Sequence, residues 1–382
     1  MANNKAFKVK NGLQAGRYLL SNGVETAGSV GYSLANAVYD SVSFSTASQG
    51  LNNASPVFKP DGTKLYVMAT ANDTVYQYSL STAWDLSTAS YESKSFSVTS
   101  QDTLPNFATF NSDGTKMYAA GQTNSTIYQY SLSTAWDVST ASYDSVSLSV
   151  LAQGANPRSL VFTNSGSTMI VLSGSGDAVF EYSLSSAFNL STASYASKTF
   201  SVTSQANNPW GLDFNADGTK MYVGDLTTDS IYQYSLSTAY DITTASYDSV
   251  SFSTGSEDTL AFGFTMGNSG QNMYVAGTTG DSIYQYSTVA YTQTLELSTG
   301  TTFAFTPSGA TTVSFTNPPA SGLACSFTVE INGDGSTITW PAGVKWPSGT
   351  APTATATKEL YAFITTDGGT TYYGKQAATE LA

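Results

Sequence analysis

Three carboxylates recur at fixed positions of a repeating pattern: Asp61, Asp113 and Asp217, each followed by Gly-Thr-Lys. Spaced carboxylates could hold calcium or act as an acid–base pair in glycoside hydrolysis. The wider pattern points elsewhere. The same position reads Ser165-Gly166-Ser167-Thr168 and Ser269-Gly270-Gln271-Asn272 in two further copies. A shared catalytic or metal role does not survive loss of the carboxylate, whereas a tight hairpin turn accepts Asp or Ser before Gly. The three are therefore read as turn residues. The chain has no histidine, which removes the commonest metal ligand and the commonest general base together. Its one cysteine, Cys325, lies in Ala-Cys-Ser-Phe-Thr-Val and reads as a small apolar strand residue rather than a reactive thiol. No Gly-rich phosphate loop and no Ser-His-Asp set is present. The sequence nominates no catalytic residue, no metal ligand and no cofactor, and the expectation is a chain without enzymatic activity.

Two columns of the repeat could bind instead. The column Ala54, Asn106, Arg158, Trp210, Phe262 varies among otherwise regular copies, beside the steadier Asn53, Pro105, Pro157, Pro209, Ala261. Trp and Arg are favoured interface anchors, so Asn106, Arg158, Trp210 and Phe262 form a candidate partner or glycan contact; ordinary drift at a loop edge is the plainer alternative. The column Tyr32, Trp84, Trp136, Phe188, Tyr240 is always aromatic. It could offer five sugar-stacking platforms, but large aromatics usually pack, and packing between blades is the preferred reading.

A repeat of 52 residues positions these side chains. Tyr39, Tyr91, Tyr143, Tyr195 and Tyr247 obey it, as do Gln49, Gln101, Gln153 and Gln205 with Glu257 fifth. Each copy reads as four strands. In the second they are predicted near Phe107–Phe110 (a), Lys116–Ala119 (b), Thr126–Leu132 (c) and Ser145–Val150 (d). Four antiparallel strands repeated radially make a β-propeller. The register runs from Tyr32 to about Ser287. The first copy has only a d-type strand and the last lacks one, so Ser41–Ser45 is expected to complete the fifth blade. This predicts five blades and places both flanking segments on the a–b/c–d face, leaving the opposite face free. The fold class is all-β: a five-bladed propeller over 32–287, followed over 288–382 by a β-sandwich or jelly-roll-like domain.

The flanks are read separately. Residues 1–31, with short strands expected at Phe7–Lys10 and Arg17–Leu20, form an anchoring or oligomerisation arm. Seven strands are expected in the C-terminal domain: Thr292–Leu297, Thr301–Thr306, Thr311–Thr316, Ser326–Ile331, Ser336–Trp340, Leu360–Thr365 and Thr370–Tyr373. Thr365-x-Asp367-x-Gly369-x-Thr371-Tyr372 matches the Asp-box of sialidase-like propellers, a hairpin-stabilising motif there, and is read as a turn.

The formal net charge of −13 and pI near 4.2, without a Lys/Arg cluster, exclude a nucleic-acid partner and argue against an anionic membrane surface. No run of 18 apolar residues would make a membrane-spanning helix, and the first ten residues lack the apolar core of a secretory signal, so assembly in a cytoplasm is expected.

The strings Asp-Gly-Thr-Lys-(Leu/Met)-Tyr-Val and Asn-Asp-Thr-Val-Tyr resemble YVTN-type propeller repeats of surface and phage proteins. Phe315-Thr316-Asn317-Pro318-Pro319-Ala320-Ser321-Gly322, Thr337–Pro347 and Thr365–Gly374 resemble a domain at the ends of tailed-bacteriophage fibre and other virion proteins. Lys8-Val9-Lys10-Asn11-Gly12-Leu13 is similar to short N-terminal segments of marine phage structural proteins. The resemblance implies a structural or adhesive virion-surface protein assembled in the host bacterial cytoplasm. Its implied partners are other capsid or tail proteins, further copies of itself (a trimer by family habit) and a host-surface glycan. A tail fibre or appendage is preferred, with capsid decoration or a head fibre as the alternative, a stand-alone lectin as a second, and a glycan-cleaving enzyme as a third reading.

Overall fold

The computed structural model describes residues 25–27, 31–289, 291–307, 311–333, 335 and 337–381. It divides into two compact units, 31–288 and the remainder. The strands expected at Phe7–Lys10 and Arg17–Leu20 lie outside the described residues.

The unit 31–288 is a five-bladed β-propeller. Each blade is a four-stranded antiparallel sheet, because β-branched and aromatic residues alternate between Gly-, Asn- and Asp-containing turns. In blade 2 strand a is Pro105–Phe110, b is Lys116–Gly121, c is Thr126–Leu132 and d is Ala141–Ser149. Blade 1 covers 53–97, blade 3 covers 157–201, blade 4 covers 209–253, and blade 5 begins at 261. Blade 5 is completed by Val38–Ser45, which pairs antiparallel with Ser282–Ser287. Strand d thus starts four residues before the predicted Ser145, and the reason is a bulge. Register slips between Tyr143 and Val146, where Ser145 adopts φ 58°, and an extra residue hides the period-two signal that sequence reading relies on.

Strands a of neighbouring blades contact one another and line the axis. Strands b and c are buried; Met117, Ile127 and Tyr130 have no exposed surface. Strand d alternates half-buried and exposed residues, as an outer strand should. Between blades, a tyrosine of strand b meets a phenylalanine of the next strand a: Tyr66–Phe110 at 4.5 Å, Tyr118–Phe162 at 4.7 Å and, across the closure, Tyr274–Phe58 at 4.3 Å between ring centroids. Each such pair adds about 0.5–1.5 kcal/mol beyond the area it buries.

Two hydrogen bonds recur at the seams. A strand-c glutamine accepts from a backbone N–H in the c–d loop of the next blade: Gln77 from Val138, Gln129 from Leu190, Gln233 from Leu34 and Gln285 from Leu86, at 2.9–3.3 Å. A strand-b tyrosine donates to a carbonyl of the same loop: Tyr66 to Trp136, Tyr118 to Phe188, Tyr222 to Tyr32 and Tyr274 to Trp84, at 2.5–2.7 Å. Among the described residues, the seam between blades 3 and 4 has neither. Ile170 stands where the tyrosine would be and Glu181 where the glutamine would be, and Glu181 instead pairs with Lys198 at 3.2 Å, leaving its Oε2 buried without a partner.

In the other unit, Glu25–Ala27 pairs with Tyr291–Glu296 in a sheet with Thr311–Thr316 and Ile338–Thr339. A five-stranded sheet comprises Thr302–Phe305, Cys325–Asn332, Lys358–Thr365, Tyr372–Leu381 and Val344–Lys345. Leu295 and Val313 from the first and Phe327, Val329, Tyr361 and Phe363 from the second share one apolar core, against which Cys325 packs. The arm expected as a separate segment therefore contributes a strand to the C-terminal unit. Asp367 accepts from the Thr371 N–H (2.9 Å) and the Thr365 hydroxyl (3.0 Å), closing the hairpin around Gly368 and Gly369, both with positive φ.

Candidate functional site

The aspartates of the repeat lie in turns. Asp61, Asp113 and Asp217 each accept from the backbone N–H (2.9–3.0 Å) and hydroxyl (2.5–2.6 Å) of the threonine two residues on. Among the described residues, no group of three or more His, Cys, Asp or Glu is placed to hold a metal ion.

The always-aromatic column sits over these turns. Tyr32, Trp84, Trp136, Phe188 and Tyr240 are half-buried and all have positive φ, between 58° and 77°. Each donates its N–H to the carbonyl of a turn glycine; Trp84 to Gly62 and Trp136 to Gly114 span 3.0 Å. The rings lie on those glycines so closely that a Cβ at Gly62 would be 2.4 Å from Trp84. The turn glycine is thus required twice, for its left-handed backbone (φ 73° at Gly62) and for the ring above it. This explains why Gly persists in copies where Asp has become Ser.

The variable column is at the opposite end of the axis, at the start of strand a. Ala54, Asn106, Arg158 and Trp210 are buried, at 0, 2, 9 and 6% exposure, and Phe262 is half-buried. Their side chains turn inward and fill the mouth of the channel. The Arg158 guanidinium lies 3.5 Å from the Trp210 ring centroid, and Trp210 lies 4.2 Å from Phe262. Asn106 donates to the Pro157 carbonyl at 2.8 Å and accepts from Gln122 at 3.1 Å. Arg158 has no salt bridge among the described residues, and its Nε and Nη1 are buried without an acceptor. Burial pulls its pKa down to about 10; the cation is held by the face of the indole.

Below this plug the channel widens. A cavity of about 300 Å³ is walled by strands a of all five blades and reaches the a–b turns at Ser112, Ser165 and Gly166. Its wall mixes hydroxyls (Ser55, Thr109, Ser159, Thr265) with the rings of Phe110, Phe162, Phe188 and Phe264. Asp213 is its one charged lining residue among those described. The carboxylate accepts from the backbone N–H groups of Phe214 (2.7 Å) and Met266 (2.8 Å) and from the Thr265 hydroxyl (3.2 Å), so it also ties blade 4 to blade 5. Desolvation pushes its pKa up to about 6, against these three donors. Asp213 had no place among the sequence candidates. The signal was available: its column reads Val57, Thr109, Val161, Asp213, Thr265, one charge among neutral residues.

No family model matches the sequence, and no curated protein does. Several solved structures are similar in fold. A candidate 6-phosphogluconolactonase from Bacteroides uniformis is 15% identical, with 62% of this chain and 67% of that chain covered and a TM-score of 0.41. A periplasmic gluconolactonase from Pseudomonas aeruginosa is 15% identical over 53% of this chain and 54% of that one, with a TM-score of 0.35. The β-propeller domain of Cps50 (Swd1) from Myceliophteria thermophila is 10% identical over 66% of this chain and 99% of that domain, with a TM-score of 0.39. The chain thus spans little more than half the length of the Pseudomonas protein. Two of the three are named as lactonases, which corrects the expectation of a chain without enzymatic activity: a propeller of this kind does not imply one. At such identities the likeness speaks to fold alone.

Proposed function

We propose that this chain is an adhesive surface component of a bacteriophage particle, a tail fibre or tail appendage whose propeller contacts a host-surface glycan. The observation that carries the glycan reading is the axial cavity. Its volume is at the lower end of the range for small-molecule sites, about 300–1,000 Å³. Aromatic faces suit the C–H face of a sugar ring, and the hydroxyls and the Asp213 carboxylate suit its hydroxyls. The virion reading rests on the resemblance of the C-terminal strings, with that unit as a β-sandwich or jelly-roll domain serving assembly, a trimer as the working unit and the virion surface as location. Capsid decoration or a head fibre is the alternative placement.

The test is a glycan array probed with the full chain, alongside Thr109→Trp, which fills the cavity. Retention of a defined glycan by the wild type and its loss in the variant is the expected result. Equal retention by both would remove the cavity from the reading. Release of free sugar or a ring-opened product from the retained glycan would replace adhesion by turnover. Cryo-electron microscopy of particles carrying the chain decides between tail and head, and absence from any particle ends the virion reading.

A further inference from the structure

The formal charge is unevenly placed. Residues 31–288 hold 20 of the 27 acidic residues and 7 of the 14 Lys and Arg, so the whole −13 belongs to the propeller unit. Within the propeller the two ends differ again. All six lysines pair with carboxylates, Lys94 with Asp137 at 2.7 Å and Lys220 with Asp248 at 2.6 Å among them. None of these lysines belongs to the d–a or b–c loops. Those loops and the last residue of strand b in blade 4 carry eight carboxylates, and among the described residues none of the eight makes a salt bridge. Three of them (Asp102, Asp225 and Asp258) are buried loop pins, such as Asp225 accepting from the Asn208 N–H at 2.7 Å. Asp73, Asp177, Asp229 and Asp281 are half-exposed and occupy the same left-handed position of four b–c turns. Desolvation, and after it neighbouring carboxylates, raise the pKa of Asp177 (beside Asp225) and of Asp229 (beside Asp258 and Asp225). The one cation at this end among the described residues, Arg158, is withdrawn beneath Trp210.

The same loops carry exposed apolar side chains. Leu51, Leu104, Leu151 and Leu260 all lie in d–a loops and are 43–61% exposed. Exposed leucines and carboxylates without salt bridges, carried by the loops of one face, are the ingredients of an interaction surface. Its occupant should be cationic and should carry apolar side chains of its own. One stretch of this chain has that composition. Residues 1–24 contain Lys5, Lys8, Lys10 and Arg17, no acidic residue, and Phe7, Leu13, Leu19 and Leu20.

We infer that the d–a/b–c face of the propeller is a docking surface for the N-terminal segment, residues 1–24, of a second copy of this chain. Its aspartates meet the segment's lysines and arginine, and its exposed leucines meet the segment's apolar residues. The contact is heterologous, so successive copies associate head to tail and either close into a ring or extend.

The experiment uses the full chain. Self-association is followed by sedimentation velocity at low and high salt for the wild type, for Lys5→Glu/Lys8→Glu/Lys10→Glu/Arg17→Glu, and for Leu51→Ser/Leu104→Ser/Leu260→Ser. The leucines are exposed, so the triple variant should keep the wild-type melting temperature, which is checked. A labelled synthetic peptide of residues 1–24 is titrated into the charge-reversed variant, whose own segment does not compete. The expected result is an oligomer lost in both variants, with peptide affinity falling about tenfold or more as salt rises from low to high. Peptide binding that ignores the leucine substitutions, an oligomer unchanged in both variants, or no peptide binding at low salt would each overturn the inference.

Discussion

Four seams of the propeller are built alike and the fifth is not. Between blades 1 and 2, 2 and 3, 4 and 5, and across the closure, a glutamine and a tyrosine of one blade bind the c–d loop of the next. Between blades 3 and 4, Ile170 and Glu181 supply neither bond. That seam keeps the surface pairing of Lys198 with Asp241 at 3.4 Å, the counterpart of Lys94 with Asp137 between blades 1 and 2, and adds the Arg158–Trp210 stack. A ring needs every seam, so the missing polar bonds must be offset by apolar burial; Ile170 is fully buried and packs in one cluster with Phe214 and Val223. Repeat-wide polar columns are therefore the structural glue here, and departures from them mark where the ring tolerates or uses irregularity.

The largest effect is expected at the seam between blades 4 and 5. Asp213 has a folded-state pKa near 6 against an ordinary 3.8. The folded form therefore holds its proton more tightly than the unfolded form. The stability this group contributes is complete below pH ~4 and is lost as pH rises through ~6, a loss of up to about 3 kcal/mol. Urea unfolding between pH 4 and 7 should show the wild type losing that much relative to Asp213→Asn; parallel pH profiles would mean that burial does not raise the Asp213 pKa.

The next contrast breaks the comparison directly. Gln129→Leu leaves the Leu190 N–H buried without an acceptor and should cost about 2 kcal/mol. Glu181→Leu, at the equivalent position, removes a half-satisfied buried carboxylate and should cost less than about 0.5 kcal/mol or stabilise. Equal losses would mean that the seams are not distinct. Arg158→Met replaces a buried cation lacking hydrogen-bond partners by an apolar chain of similar reach. It should raise stability by about 1 kcal/mol if the plug is only structural; a stability loss of that size would assign the indole contact a net stabilising role. Smallest, Tyr118→Phe should cost about 1 kcal/mol or less by freeing the Phe188 carbonyl, while Ile170→Phe is indifferent to hydrogen bonding and reports only the fit of the ring. Differential scanning fluorimetry of the five variants ranks them.

Much of the fold was legible because the repeat is arithmetic. The 52-residue step gives blade number, the closing strand and the turn glycines. It did not give the start of strand d, since the bulge at Ser145 breaks the alternation on which a strand is recognised. The candidate site was legible only in part. Arg158, Trp210 and Phe262 were found as a variable column, but a column says nothing about exposure, and the three side chains turn inward on one another. Asp213 was missed because a single carboxylate inside a regular strand resembles surface variation until the strand is known to line the axis.

Strands per blade, blade number and ring closure can be read from the residues in order, because periodic patterning and turn chemistry are local and repeat without reference to the rest of the chain. Which columns face the axis, which seam lacks its bonds and which end keeps carboxylates without salt bridges emerge when the blades assemble. Those depend on which side chains of different blades meet, over separations as long as the 199 residues between Gln285 and Leu86.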